Sequence, residues 1–132
     1  MRFNPFFYFK IQTNVYKNKI FFQNGATYYF DTITEKIKKF CDGKLQFMLE
    51  PTFFVVLKDG NLYKGSYYAT NYVVNSLELI AEGDFVNVGE DSKRVYYYSM
   101  GKTNSILVGL DKSGKPVYAK HLKAQNAMAI LL

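Results

Sequence analysis

At 132 residues, 48% hydrophobic and 21% charged, the chain is the size of one domain and too apolar to stay disordered. One cysteine, Cys41, excludes an internal disulfide, and with the single histidine, His121, it falls short of a zinc ligand set. The net charge of +6 would draw acidic partners, but of 17 basic residues only Arg2 and Arg94 are arginines, which favours a solvated lysine coat over base-reading guanidinium forks.

A reducing setting is expected, either the cytoplasm or the interior of an assembled particle. The opening run MRFNPFFYFKIQT is interrupted by Pro5 and Lys10 and is followed by no small-residue cleavage site. It reads as neither signal peptide nor membrane span. Twelve Phe and twelve Tyr without a single Trp exceed what the core of one small domain needs. The surplus predicts a surface made to be touched.

Turn signals at short intervals, separated by runs of Phe, Tyr, Val and Ile, predict a mainly β fold. Its antiparallel hairpins would form a sandwich or barrel over residues 1–132 as a single domain, with one helix near 32–42 and a short C-terminal helix. The first strand is expected at Phe6–Thr13. Next comes a hairpin, Lys19–Gln23 and Ala26–Phe30, turned by Asn24-Gly25. It would pair Phe22 with Thr27, Phe21 with Tyr28 and Ile20 with Tyr29. Thr32 and Glu35 have capping-box spacing, and Ile33, Ile37 and Phe40 recur at helical intervals. Gly43 would stop that helix, with Cys41 as a small apolar residue in its last turn.

Leu45, Phe47 and Leu49 alternate on one face of the following strand, and Pro51 ends or bends it. Thr52–Lys58 and Asn61–Thr70 flank Asp59-Gly60. A two-residue turn there pairs Leu57 with Leu62, Val56 with Tyr63 and Phe54 with Gly65, laying a ring over a glycine. Ser76–Glu82 and Phe85–Gly89 flank Gly83-Asp84 and read as a hairpin with a II′ turn. Arg94–Met100 carries three successive tyrosines, Tyr96, Tyr97 and Tyr98, so at least one must face away from the others. Ile106–Asp111 and Pro116–Leu122 form the last hairpin around residues 111–114. The tail changes period, and Ala124, Ala127, Met128 and Leu131 suggest a short helix that docks by its apolar side.

Catalytic signatures are absent from the sequence. There is no Gly-x-Ser-x-Gly elbow, and nothing places Cys41 beside His121. Gly101-Lys102-Thr103 mimics the end of a Walker loop, but position 96, where the upstream glycine belongs, is Tyr96. Residues 111–114 lack the alternating acids of a calcium loop. Glu78, Glu82, Asp84, Glu90 and Asp91 suit exposed turns. No cofactor, metal, membrane or small-molecule substrate is indicated, and the chain reads as no enzyme.

The expected role is a non-catalytic structural, assembly or protein-interaction protein, for example a subunit of a larger particle such as a virion. Its partner would be another protein or further copies of itself. A second reading is a nucleic-acid-binding β module in which exposed tyrosines stack on bases and lysines follow phosphates. A third is a small inhibitor of a host enzyme. The residues expected at the partner surface are Lys64, Tyr67, Tyr68, Arg94, Tyr96 and Tyr98, with Met128, Ile130 and Leu131 as docking anchors in the tail.

Overall fold

The computed structural model describes residues 15–101 and 104–123. They form twelve antiparallel strands and no helix. Sheet I holds β1 (Val15–Tyr16), β2 (Lys19–Asn24), β3 (Ala26–Asp31) and β4 (Lys36–Cys41). Sheet II holds β5 (Lys44–Leu49), β6 (Phe53–Lys58), β7 (Asn61–Tyr67) and β8 (Val74–Ala81). Sheet III holds β9 (Phe85–Glu90), β10 (Arg94–Met100), β11 (Asn104–Asp111) and β12 (Pro116–Lys123). In every sheet the strands lie side by side in chain order. The fold is therefore all β, as the turn spacing predicts, but it is built of three successive four-stranded sheets rather than one sandwich or barrel.

Two layers of side chains hold the sheets together. Tyr16, Phe21, Tyr29 and Phe40 of sheet I pack with Leu45, Met48, Phe54, Val56 and Tyr67 of sheet II. Phe47, Leu49, Val55 and Leu62 of sheet II pack with Phe85, Val95, Tyr97, Val108 and Leu110 of sheet III. Sheet II is thus the middle layer, covered on both faces. This accounts for part of the aromatic surplus: two interlayer cores consume more rings than one. In the first, Phe40 stands 4.8 Å from Phe54 and 5.6 Å from Tyr67, edge to face in both cases.

The helix expected near 32–42 is a turn followed by strand β4. Asp31, rather than Thr32, organises the turn: its Oδ1 accepts the amides of Ile33 at 2.8 Å and Thr34 at 3.0 Å. Glu35 then takes a positive φ of 59°, which closes the turn and returns the chain along β3. Ile33 and Ile37 are 77% and 62% exposed, so the helical spacing was no sign of burial. Lys36, Lys38 and Lys39 lie on an exposed edge strand, where lysines discourage pairing with other chains. Cys41 is buried at the end of β4.

Three further readings are corrected. The first hairpin turns tightly on Gly25 at φ 78° and pairs Phe22 with Tyr28 and Phe21 with Tyr29, one residue out of the expected register. The observed pairing puts the core rings Phe21 and Tyr29 on one face and the outer rings Phe22 and Tyr28 on the other, whereas the expected one would mix them. Leu45 and Phe47 do not share a face, because a bulge between them sends Leu45 toward sheet I and Phe47 toward sheet III. Gly83-Asp84 joins β8 of sheet II to β9 of sheet III and is no hairpin. The crossover is pinned by the Gly83 amide on Asn61 Oδ1 at 2.9 Å, the Asp84 amide on Ser99 Oγ at 2.8 Å and the Phe85 amide on the Gly60 carbonyl at 2.9 Å.

The Asp59-Gly60 hairpin has the expected register throughout, with φ of 52° and 82° at its two turn residues. The last hairpin also forms, and Asp111 Oδ1 accepts the Ser113 and Lys115 amides, each at 2.9 Å, within its turn. The strand expected at Phe6–Thr13 and the helix expected after Lys123 lie outside the described residues.

Candidate interaction face

The outer face of sheet III, turned away from sheet II, carries a concavity of about 650 Å³. It arises from alternation along β10. Val95 and Tyr97 point into the second core, so Arg94, Tyr96 and Tyr98 point outward. Cross-strand pairing then sets one row across the sheet, Gly89, Tyr96, Gly109 and Tyr118. Glycines flank Tyr96 on both neighbouring strands, and its half-buried ring lies over Gly109. A Cβ at Gly109 would lie 3.0 Å from Tyr96 and 3.3 Å from Tyr118, so the bare backbone there is the floor between two rings. Those rings meet edge to face with centroids 6.5 Å apart. The next row joins Val86, Tyr98 and Leu107, and Leu122 closes the wall.

The polar groups sit at one end. The Arg94 guanidinium lies 5.5 Å from the centre of the Tyr118 ring, a cation–π contact that holds the two side chains together. The Tyr96 hydroxyl donates to Asp91 Oδ2 at 3.4 Å, and Lys112 Nζ stands 3.6 Å from Glu90 Oε2. Asp91 Oδ1 accepts the Lys93 and Arg94 amides, both at 2.8 Å. These bonds favour the charged form and lower the Asp91 pKa. The Tyr98 side chain is 8% exposed, and its buried hydroxyl has no hydrogen-bond partner among the described residues. Buried hydroxyls are seldom left so. On the same face Val86 is 56% exposed, Val88 47% and Met100 51%.

Of the residues expected at a partner surface, Arg94, Tyr96 and Tyr98 therefore meet in one place. Lys64 does not join them. It lies on β7 of sheet II, with Nζ 4.9 Å from the Phe53 ring centre. Tyr67 is buried in the first core, 4.8 Å from Tyr72 between ring centres, and burial raises its phenol pKa. Tyr68 is exposed in the loop after β7. Met128, Ile130 and Leu131 lie outside the described residues. Sequence reasoning passed over Tyr118, Leu107, Leu122 and the two glycines. Gly109, inside a predicted strand, was the available signal, because a glycine there marks a close approach to the backbone.

Other clusters have structural explanations. Lys19 is only 9% exposed. Its Nζ is 3.3 Å from Asp31 Oδ2 and 4.3 Å from the Tyr72 ring centre, so the ammonium is paired and capped by a ring within the first core. The Tyr16 hydroxyl donates to Glu50 Oε1, tying sheet I to the turn after β5. Cys41 and His121 stand apart, one in the core between sheets I and II and the other exposed on β12 of sheet III. Among the described residues no three His, Cys, Asp or Glu side chains gather as a metal site, and no helix is long and apolar enough to cross a membrane.

No family model, curated protein or solved structure matches this chain.

Proposed function

We propose that the protein is a non-catalytic interaction or assembly protein whose outer sheet III face receives a protein partner. The observation that carries this reading is the Gly89–Tyr96–Gly109–Tyr118 row. It is an aromatic, glycine-floored surface beside exposed valines, and interfaces are enriched in Tyr and Arg.

A protein partner fits this face better than nucleic acid. Among the described residues, Arg94 in the concavity and Lys120, the cross-strand partner of Leu107, share this face with two acids, Glu90 and Asp91, whereas affinity for a phosphate chain comes from several uncompensated cations. Lys64 sits on a different sheet.

The test places the photo-cross-linker p-benzoylphenylalanine at Tyr118, with a second derivative at buried Val55 as control. Illumination is expected to give a discrete protein adduct from position 118 alone. No adduct, or an adduct removed by nuclease, would overturn the reading.

A further inference from the structure

Three sheets of equal strand number and identical strand order follow one another, each packed face to face on the next. Arrays of this kind bury the faces between units and need polar outer faces on the end units to stay soluble. The end units here lack them. Sheet III presents the tyrosine face described above. On sheet I, Phe21 and Tyr29 take the core side, so Ile20, Phe22, Tyr28 and Phe30 turn outward, and Ile37, the cross-strand partner of Phe30, joins them. Phe22 and Tyr28 stack with centroids 5.9 Å apart. Both end faces have the side-chain character of the faces already buried inside the molecule.

The order of the sheets names the match. Sheet I meets one face of sheet II and sheet III meets the other, so one further step in the same direction sets a sheet I, by its outer face, on the outer face of sheet III.

We propose that the outer face of sheet III is covered by the outer face of sheet I of a second copy of this chain, head to tail. This rests on the reading of that face as a protein-interaction surface. Area then selects a closed pair. Four strands at about 4.8 Å spacing and six residues at about 3.4 Å each give a footprint of roughly 400 Å². One such contact is small for a stable complex, whereas two, about 800 Å² per partner, reach the usual size. A two-fold pair uses both contacts at once and leaves neither face bare. It arranges six four-stranded sheets in a circuit, as propellers do.

The experiment is sedimentation velocity on the full chain across a concentration series, with Tyr118→Lys to block sheet III and Ile37→Lys to block sheet I. Both sites are exposed, Val86→Lys is a second block on sheet III, and circular dichroism melts check folding. The wild type is expected to sediment as a dimer and each variant as a monomer. In an equimolar mixture of the two variants one unblocked contact survives, so association should recover at least tenfold over either variant alone. A dimer broken by Tyr118→Lys but untouched by Ile37→Lys would mean a like-face contact and overturn the proposal. A monomeric wild type would also overturn it. If the position 118 adduct were then a different protein, the interaction reading would stand without the pair; if no adduct formed, both would fall.

Discussion

Phe54 lies over Gly65. The two residues are direct cross-strand partners on β6 and β7, and a Cβ on Gly65 would fall inside the envelope of ring atoms Cζ, Cε1 and Cε2 of Phe54. The same ring touches Phe40 and Tyr67, so the glycine sets the position of a phenylalanine at the centre of the first core.

Gly65→Ala should therefore cost about 1–3 kcal/mol, the usual range for overpacking a filled core. The added methyl must push Phe54, which is fully buried and has no room to yield. Chemical denaturation should show a lower midpoint with an unchanged slope. A midpoint equal to wild type would mean that the core relaxes freely around the ring.

The turn at Asp31 predicts an acid dependence. The Thr34 and Ile33 amides, helped by Lys19, hold its carboxyl down at about 2, against an ordinary 3.8. A depressed folded pKa means that the unfolded chain takes up the proton first. The contribution is thus complete above about pH 4 and disappears as pH falls through about 2. Asp31→Asn removes the titrating group. Urea unfolding of wild type and variant should differ most near pH 5 and converge near pH 2. A gap that does not change with pH would rule out the carboxylate as its source.

Cys41 should be chemically quiet in the folded protein. Burial pushes its thiol up to about 12, so roughly one thiol in ten thousand is ionised at pH 8. A disulfide-exchange reagent should label native protein far more slowly than denatured protein, and the rate should rise with denaturant in step with unfolding. Labelling of the native form at the rate of a free thiol would show that the strand end opens locally.

Tyr97 spans two sheets. Its ring is buried in the second core, and its hydroxyl donates to Gln46 Oε1 on β5 at 3.0 Å. Tyr97→Phe deletes that bond and keeps the ring, which should lower stability by about 1 kcal/mol. Gln46 is half-buried, so water can take over its carbonyl and limit the loss. A cost above about 3 kcal/mol would mean that the hydroxyl's links to Gln46 and Asn87 act as one buried network.

The sequence by itself determined the strands whose signals are local. Asp59-Gly60 dictates its hairpin because positive φ at two adjacent residues leaves the chain one tight return. Three tyrosines in a row on β10 must divide between faces because the strand period is two, and Tyr97 went inward while Tyr96 and Tyr98 went outward. The polar loop after β9 and the last turn were legible too, because Asp91 and Asp111 each accept amides within their own turn. Only the tertiary structure decided the rest. An edge strand such as β4 buries neither face along most of its length, so its sequence is free of the alternating pattern, and Ile33, Ile37 and Phe40 imitated a helix by coincidence of spacing. A two-residue turn reads alike whether it folds a strand back on its neighbour or carries it to the next sheet, and at Gly83-Asp84 hydrogen bonds to Asn61 and Ser99 made the choice. The bulge that parted Leu45 from Phe47 answered to two facing layers that no local window contains. The face assembled from Tyr96, Gly109 and Tyr118 likewise needed three strands brought into register, because side chains separated along the chain become neighbours only through the hydrogen-bonded ladder.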